Sequence, residues 1–191
     1  MANQEKVCFE KVGSSLSAMT TLAFGINHKS ASVDLRGKIA FAPEIVVQAL
    51  QDARSILHVQ EIALLSTCNR TELYLHGDVT DTQLLTWLAM VKGVEIGQLK
   101  SCYYCYRGEE AVTHMMRVAS GLDSLILGEP QIFGQIKSAY AVGQEAGTVS
   151  TVLNQVFQQV FSAAKRVRSE TAIGKNPVSV AYASVNLATQ I

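Results

Sequence analysis

The 191-residue sequence is short of several things, and each shortage excludes a class of protein. It has no net charge, with 16 basic and 16 acidic residues, so overall charge points to no polyanionic partner, although a local patch can hide in the average. Only four cysteines occur, Cys8, Cys68, Cys102 and Cys105, too few for a disulfide scaffold of this length. Cys102 and Cys105 form a lone C-x-x-C, and a structural zinc site needs a second pair that is missing. Residues 1–19 lack the apolar centre of a signal peptide, and no apolar run approaches membrane-spanning length. There is no G-x-G-x-x-G, internal repeat or low-complexity stretch. These absences predict a soluble, cytoplasmic protein with reduced thiols, no metal and no membrane partner.

What is present is enough apolar material, 48% of residues against 17% charged, to bury a real core. Residues 1–19 show no period and read as a flexible tail that contains Cys8. Thr21–Ile26 reads as a first strand, followed by the polar loop Asn27-His28-Lys29-Ser30. Pro43 opens a helix whose apolar positions are Ile45, Val46, Ala49, Leu50, Ala53 and Leu57. Strands are expected over 61–67 and 71–76, and a helix over 81–92, stopped at Gly93. A fourth strand is expected over 101–106. The order strand, helix, strand, strand, helix, strand is the ferredoxin-like split βαβ arrangement of an α+β domain.

Helices follow. Glu109–Ala119 places Val112, Met115, Met116 and Ala119 on one face, with His114 interrupting it. Another helix starts at Pro130, and a long one follows Ser150, read as its cap, with apolar positions from Val152 to Val167. Gly174 closes that helix. Asn176 and Pro177 start one with no stop signal before Ile191. The structured domain is therefore expected over 20–174 and a linker helix from 175 onward, in a natural protein that continues.

The chemistry gathers around Ser66-Thr67-Cys68-Asn69-Arg70-Thr71-Glu72, where one strand ends and the next begins. A thiol there is either a buried strand-end residue or a reactive group, and its polar neighbours favour the second. Arg70 can activate a thiolate or hold a carboxylate through its planar fork. His114 is either a core histidine or the proton acceptor for Cys68. Glu129, Gln131 and Gln135 surround a helix start, with Ser124 close by, and either grip a small polar ligand or merely cap and solvate that end.

These motifs resemble glutamyl-tRNA reductase. The matching pieces are Gly25–Lys29, Leu64–Tyr74, His114–Ile132 and Ile173–Tyr182, and the resemblance extends from about residue 20 to the end. It implies that residues 20–174 are the catalytic, glutamyl-tRNA-binding domain, with Cys68 as nucleophile and His114 as a residue important for activity. Thr67, Asn69, Arg70, Ser124, Glu129, Pro130, Gln131 and Gln135 would line the glutamate pocket. It also implies that the full-length protein reduces a thioester with NADPH to glutamate-1-semialdehyde, the first step of tetrapyrrole synthesis. The expected partners are glutamyl-tRNA(Glu), a second copy in a homodimer, and glutamate-1-semialdehyde aminomutase by channelling. Family members carry NADPH on a later Rossmann domain, so no cofactor-binding residue is expected in this chain. Gly37, where the family is usually charged, and Ala42, where it usually has a cap, depart from the pattern. The alternative is a ferredoxin-like regulatory module binding an amino acid or haem; an unrelated cysteine hydrolase is a third reading. Lys165, Arg166 and Arg168 are a candidate contact for the tRNA body, or simply a solvated basic face.

Overall fold

The computed structural model describes residues 21–174. The expected tail with Cys8 and the helix expected from Asn176 and Pro177 lie outside the described residues. Four strands form one sheet: β1 (Thr21–Asn27), β2 (Glu61–Ser66), β3 (Arg70–His76) and β4 (Tyr104–Arg107). Their spatial order is β2-β3-β1-β4 and every neighbouring pair is antiparallel. β1 and β2 therefore run in the same direction with β3 between them, which is the split βαβ arrangement. The ferredoxin-like expectation holds.

Helices α1 (Val33–Ile39) and α2 (Pro43–Leu57) connect β1 to β2, while α3 (Asp81–Lys92) and α4 (Ile96–Lys100) connect β3 to β4. The second, helical part follows as α5 (Glu109–Ala119), α6 (Gln131–Glu145) and α7 (Thr151–Glu170), ending in a 3-10 turn at Ala172–Gly174. Thus α7 stops before Gly174, which sits in that separate turn.

Period-2 alternation sends the two faces of the sheet into two cores. Leu22, Phe24, Ile26, Ile62, Leu64, Leu73 and Leu75 pack against Leu50, Ala53 and Leu57 of α2 and Leu84, Leu85 and Leu88 of α3. Ala23, Ala63, Leu65 and Tyr74 on the opposite face pack against α5, α6 and α7 through Met115, Ile136, Leu153 and Phe157, among others. The sheet is covered on both sides, and so β1 is buried from end to end.

Several local expectations shift for identifiable reasons. Helix α1, between the polar loop Asn27–Ser30 and Pro43, is absent from the expected elements, because it has seven residues with Gly37 inside and one buried side chain, Ile39; Ser32 caps it by accepting from the Leu35 amide. The fourth strand starts at Tyr104 because Leu99 enters the core and draws the chain through another helical turn, the Cys102 and Tyr103 amides both donating to the Leu99 carbonyl. Cys102 is therefore a buried turn residue and only Cys105 is on the strand. In α5 the buried stripe is Ala111, His114, Met115 and Val118. His114 belongs to that stripe and does not interrupt it. Ala42 indeed lacks a side-chain cap, and Gly93 ends α3 at φ +61.

Ser150 stands at the N-cap of α7 but its side chain caps nothing. Glu61, at the start of β2 and only 4% exposed, does so instead. Its carboxylate accepts from the backbone amides of Ser150, Val152 and Leu153 at 2.8 to 2.9 Å. Three amides at a helix start would otherwise be unpaired, and a negative charge suits that end of the helix dipole. Burial pushes the Glu61 carboxyl up, but these three hydrogen bonds outweigh it and hold the value below normal.

Replacing Glu61 with alanine should therefore destabilise the protein by about 1–3 kcal/mol, the cost of leaving buried donors unmet, as read by urea unfolding. Since the folded carboxyl titrates lower than the unfolded one, its contribution is full above the unfolded value. The wild-type advantage over Glu61→Ala should shrink as pH falls through the lowered value.

Candidate functional site around Cys68

Alternation along β3 places Arg70, Glu72 and Tyr74 on one face, looking toward α5, α6 and α7. They are 2%, 1% and 0% exposed. Glu72 is the hub. One carboxylate oxygen accepts from Arg70 Nη1 at 2.5 Å and Tyr104 Oη at 2.6 Å. The other accepts from Tyr74 Oη at 2.6 Å and lies 3.1 Å from His114 Nε2. A carboxylate only accepts, so that histidine nitrogen carries the proton. Burial alone would push the Glu72 carboxyl up; the hydrogen bonds from His114 and Tyr104 and the charge of Arg70 hold it down, to about 2. Burial and the adjacent Glu72 charge raise both tyrosines, keeping them as donors.

The room for this hub comes from Gly25. It stands in register between Glu72 on β3 and Tyr104 on β4. A Cβ there would lie 2.6 Å from Glu72 Cγ and 3.0 Å from Tyr104 Oη. His114 packs in a cluster with two tyrosine rings, 4.7 Å from that of Tyr106 and 5.2 Å from that of Tyr104 between centroids, the tyrosines themselves being 5.5 Å apart. The structure thus joins His114 to Glu72; no hydrogen bond joins it to Cys68.

Arg70 carries the network outward. Its Nη2 donates to the Asp123 carbonyl at 2.5 Å and to the Asp123 carboxylate at 3.1 Å. Asp123, in the connection between α5 and α6, also takes the ammonium of Lys29. Burial raises the Asp123 carboxyl, and the two cations more than reverse that. Arg70 is therefore neither an exposed turn residue nor free beside the thiol: it opens β3, and its guanidinium is already occupied.

Cys68 lies two residues before it and is exposed. The three-residue turn is closed by Thr67, whose amide donates to the Arg70 carbonyl at 2.8 Å. Its hydroxyl accepts from the Asn69 and Arg70 amides. The thiol itself has no hydrogen-bond partner among the described residues. Histidine 28 sits alongside: its amide donates to the Asn69 carbonyl at 2.9 Å, and burial with the charges of Arg70 and Lys29 lowers its pKa.

The connection from Gly121 to Gly128 brings Ser124 to the same end, through the Asp123–Arg70 contacts. Its neck is closed by the Gly128 amide donating to the Gly121 carbonyl at 2.9 Å. Gly128 has φ +80, and a Cβ there would fall 2.7 Å from the Ile173 carbonyl oxygen, so only glycine fits. Arg168 reaches the Gly128 and Glu129 carbonyls; it ties α7 to this loop and is not part of a free basic face, while Arg166 pairs with Glu170. Ser124 and Glu129 are half-buried, and Pro130, Gln131 and Gln135 are exposed. The side chains of Asn69, Ser124, Glu129, Gln131 and Gln135 make no hydrogen bond to described residues, which leaves them available to a ligand.

Sequence reasoning missed the hub. Glu72 and Tyr74 stood in plain view, and their alternation with Arg70 was the usable signal. Tyr104, Tyr106, Asp123 and Lys29 carried no local signal, because tertiary packing alone assembles them.

Comparison with known proteins follows the same lines. Residues 24–171 match the family described as Glutamyl-tRNAGlu reductase, N-terminal domain. A glutamyl-tRNA reductase of Saccharophagus degradans is 58% identical over 173 residues, covering 91% of this chain and 41% of that protein. One from Stutzerimonas stutzeri is 56% identical over 174 residues, with the same coverage. The solved structure of glutamyl-tRNA reductase from Methanopyrus kandleri superposes with a TM-score of 0.73 at 33% identity, over 90% of this chain and 40% of that one. The chain spans about two-fifths of the length of these relatives.

Removing the hub charge should be costly. Glu72→Gln leaves Arg70 with half of its compensation in a buried setting, and a loss of about 3 kcal/mol or more is expected by denaturant titration. The folded carboxyl lies at about 2 against an ordinary 4.5, so its contribution is complete above 4.5 and is lost as pH falls toward 2. The gap between wild type and Glu72→Gln should be constant at neutral pH and close only in that acid window.

Proposed function

The chain belongs to the glutamyl-tRNA reductase family, whose N-terminal domain it carries, and from that premise we propose that Cys68 is the nucleophile for the glutamyl ester of tRNA. The observation that supports this best is the exposed, unpartnered thiol in a turn held by backbone hydrogen bonds from Thr67 to Arg70 and from His28 to Asn69. A nucleophile needs that combination: reach for the reacting atom, and little freedom to lose on the way to the transition state.

The thiolate sulfur forms a bond to the ester carbonyl carbon. The ester carbon–oxygen bond then breaks, and the tRNA leaves with its ribose oxygen, which takes up a proton. The product is a thioester on Cys68. Arg70 is the cation for the glutamate carboxylate, which reaches Nη2 by exchanging with Asp123, the partly exposed partner (11% of its side chain) already shared with Lys29. Glu72 stays in place during that exchange and keeps the guanidinium oriented. His114 acts through Glu72. Thr67 and Asn69 shape the turn, and Ser124, Glu129, Pro130, Gln131 and Gln135 supply the polar rim. Residues 20–174 are, on this reading, the catalytic domain.

Reduction of the thioester requires a hydride, and in the full-length enzyme NADPH supplies it. The residues present do not fit that cofactor. Among the described residues the only sheet is antiparallel, and no glycine-rich dinucleotide turn occurs in the sequence. No step of this chain is routed through NADPH. Homodimer formation and transfer to an aminomutase likewise belong to the proposed full-length protein. Among the described residues no helix is long and apolar enough to cross a membrane.

Incubated with glutamyl-tRNA, the chain should gain one glutamyl group on Cys68, read by peptide mass spectrometry, and release free tRNA. Cys68→Ser should lower ester cleavage by about 10³-fold or more. An unmodified Cys68 together with unchanged cleavage by Cys68→Ser would end this mechanism.

A further inference from the structure

Three consecutive carbonyls of the Cys68 turn, those of Cys68, Asn69 and Arg70, each have a donor. Thr67 N–H serves Arg70 and His28 N–H serves Asn69. The carbonyl of Cys68 itself is served by a side chain from another element: Arg36 Nε at 3.2 Å. The same guanidinium donates from Nη1 to the Ala31 carbonyl at 2.7 Å. It thereby bridges the chain entering α1 and the residue that bears the thiol.

The support beneath Arg36 is rigid. Ile39, at the end of α1, is fully buried, and its carbonyl accepts from the Thr71 hydroxyl. The Ala40 carbonyl accepts from Lys92 at 2.6 Å, and the Lys92 ammonium lies 3.4 Å over the Phe41 ring. Phe41 N–H donates to Ser66 Oγ at 2.8 Å, two residues before the thiol. The α1 region thus holds the Cys68 turn at both ends, from Ser66 and from the Cys68 carbonyl.

We propose that Arg36 is a positioning residue for the Cys68 thiol, one that fixes the peptide plane after Cys68 and so aims the sulfur at the ester carbon. This rests on the thioester mechanism above and adds to it a residue outside the turn and the loop after α5. A planar guanidinium can hold two carbonyls at fixed separation, whereas an ammonium is a point donor and can satisfy either one well but not both in that geometry. Lys38 lies on the same helix, exposed and with no hydrogen bond to described residues. It offers a control for charge alone.

Two measurements on the 191-residue chain test the proposal. At saturating glutamyl-tRNA, Arg36→Ala should form the Cys68 adduct about 10- to 100-fold more slowly, with KM within about 3-fold of wild type. Arg36→Lys should fall between, Lys38→Ala should match wild type, and added guanidinium, unlike sodium at equal ionic strength, should restore much of the Arg36→Ala rate. Hydrogen exchange should also quicken in Arg36→Ala at the amides of His28, Thr67, Asn69 and Arg70, with melting otherwise little changed. An Arg36→Ala protein with unchanged exchange and unchanged rate overturns the proposal, as does an equal rate loss in Lys38→Ala. A wild type that forms no adduct overturns the thioester mechanism instead, and the exchange measurement still decides whether Arg36 holds the turn.

Discussion

A single buried carboxylate, Glu72, sets the conditions for everything around it. An ionised group in the middle of a covered sheet costs several kcal/mol unless its lone pairs are met. Here four donors from three elements meet them: Arg70 and Tyr74 on β3, Tyr104 on β4 and His114 on α5. The requirement is mutual. Arg70 can be buried only because Glu72 and Asp123 neutralise it, and Asp123 brings the loop after α5 to the end of β3.

That chain of charges couples scaffold to site. The sheet and its two cores supply rigidity, but what they make rigid at the Cys68 end is a set of polar contacts. Glu72 orients Arg70, Arg70 anchors Asp123, and Asp123 holds Lys29 beside the loop that follows β1. The thiol turn is fastened separately, through backbone carbonyls, by Thr67, His28 and Arg36. The two systems of hydrogen bonds share Arg70, whose guanidinium belongs to one and whose backbone belongs to the other, and neither engages the Cys68 sulfur. In the proposed mechanism, a substrate carboxylate competes for the outer charges while the backbone bonds of the turn stay in place.

Much of this was legible before the structure. The alternation of strands and helices, and the turn chemistry at Pro43, Gly93 and the α7 stripe, led to the correct sheet. The 66–72 motif marked the candidate site. Elements that failed to announce themselves were short or held by tertiary contacts. Helix α1 has one buried residue and an internal glycine, so neither period nor propensity marks it; its stability comes from Ile39 in the core and from the contacts that follow it. Ser150 looked like a cap, yet a glutamate 89 residues earlier does the capping, because β2 begins beside that helix start.

The amino-acid sequence by itself determined the strand order, the two apolar faces and the place of the thiol. All three follow from periodicity and from turn residues acting over a few positions. Only the tertiary structure decided what Arg70 and His114 do. The sequence left Arg70 as a thiolate activator or a carboxylate clamp, and His114 as a core histidine or a proton acceptor for Cys68. Packing α5 across the sheet instead turned both toward Glu72, where desolvation makes pairing compulsory. The same packing brought Arg36, 32 residues away in sequence, onto the carbonyl of Cys68. Long-range electrostatic satisfaction of this kind has no local signature, since each partner is chosen by the buried charge it must answer.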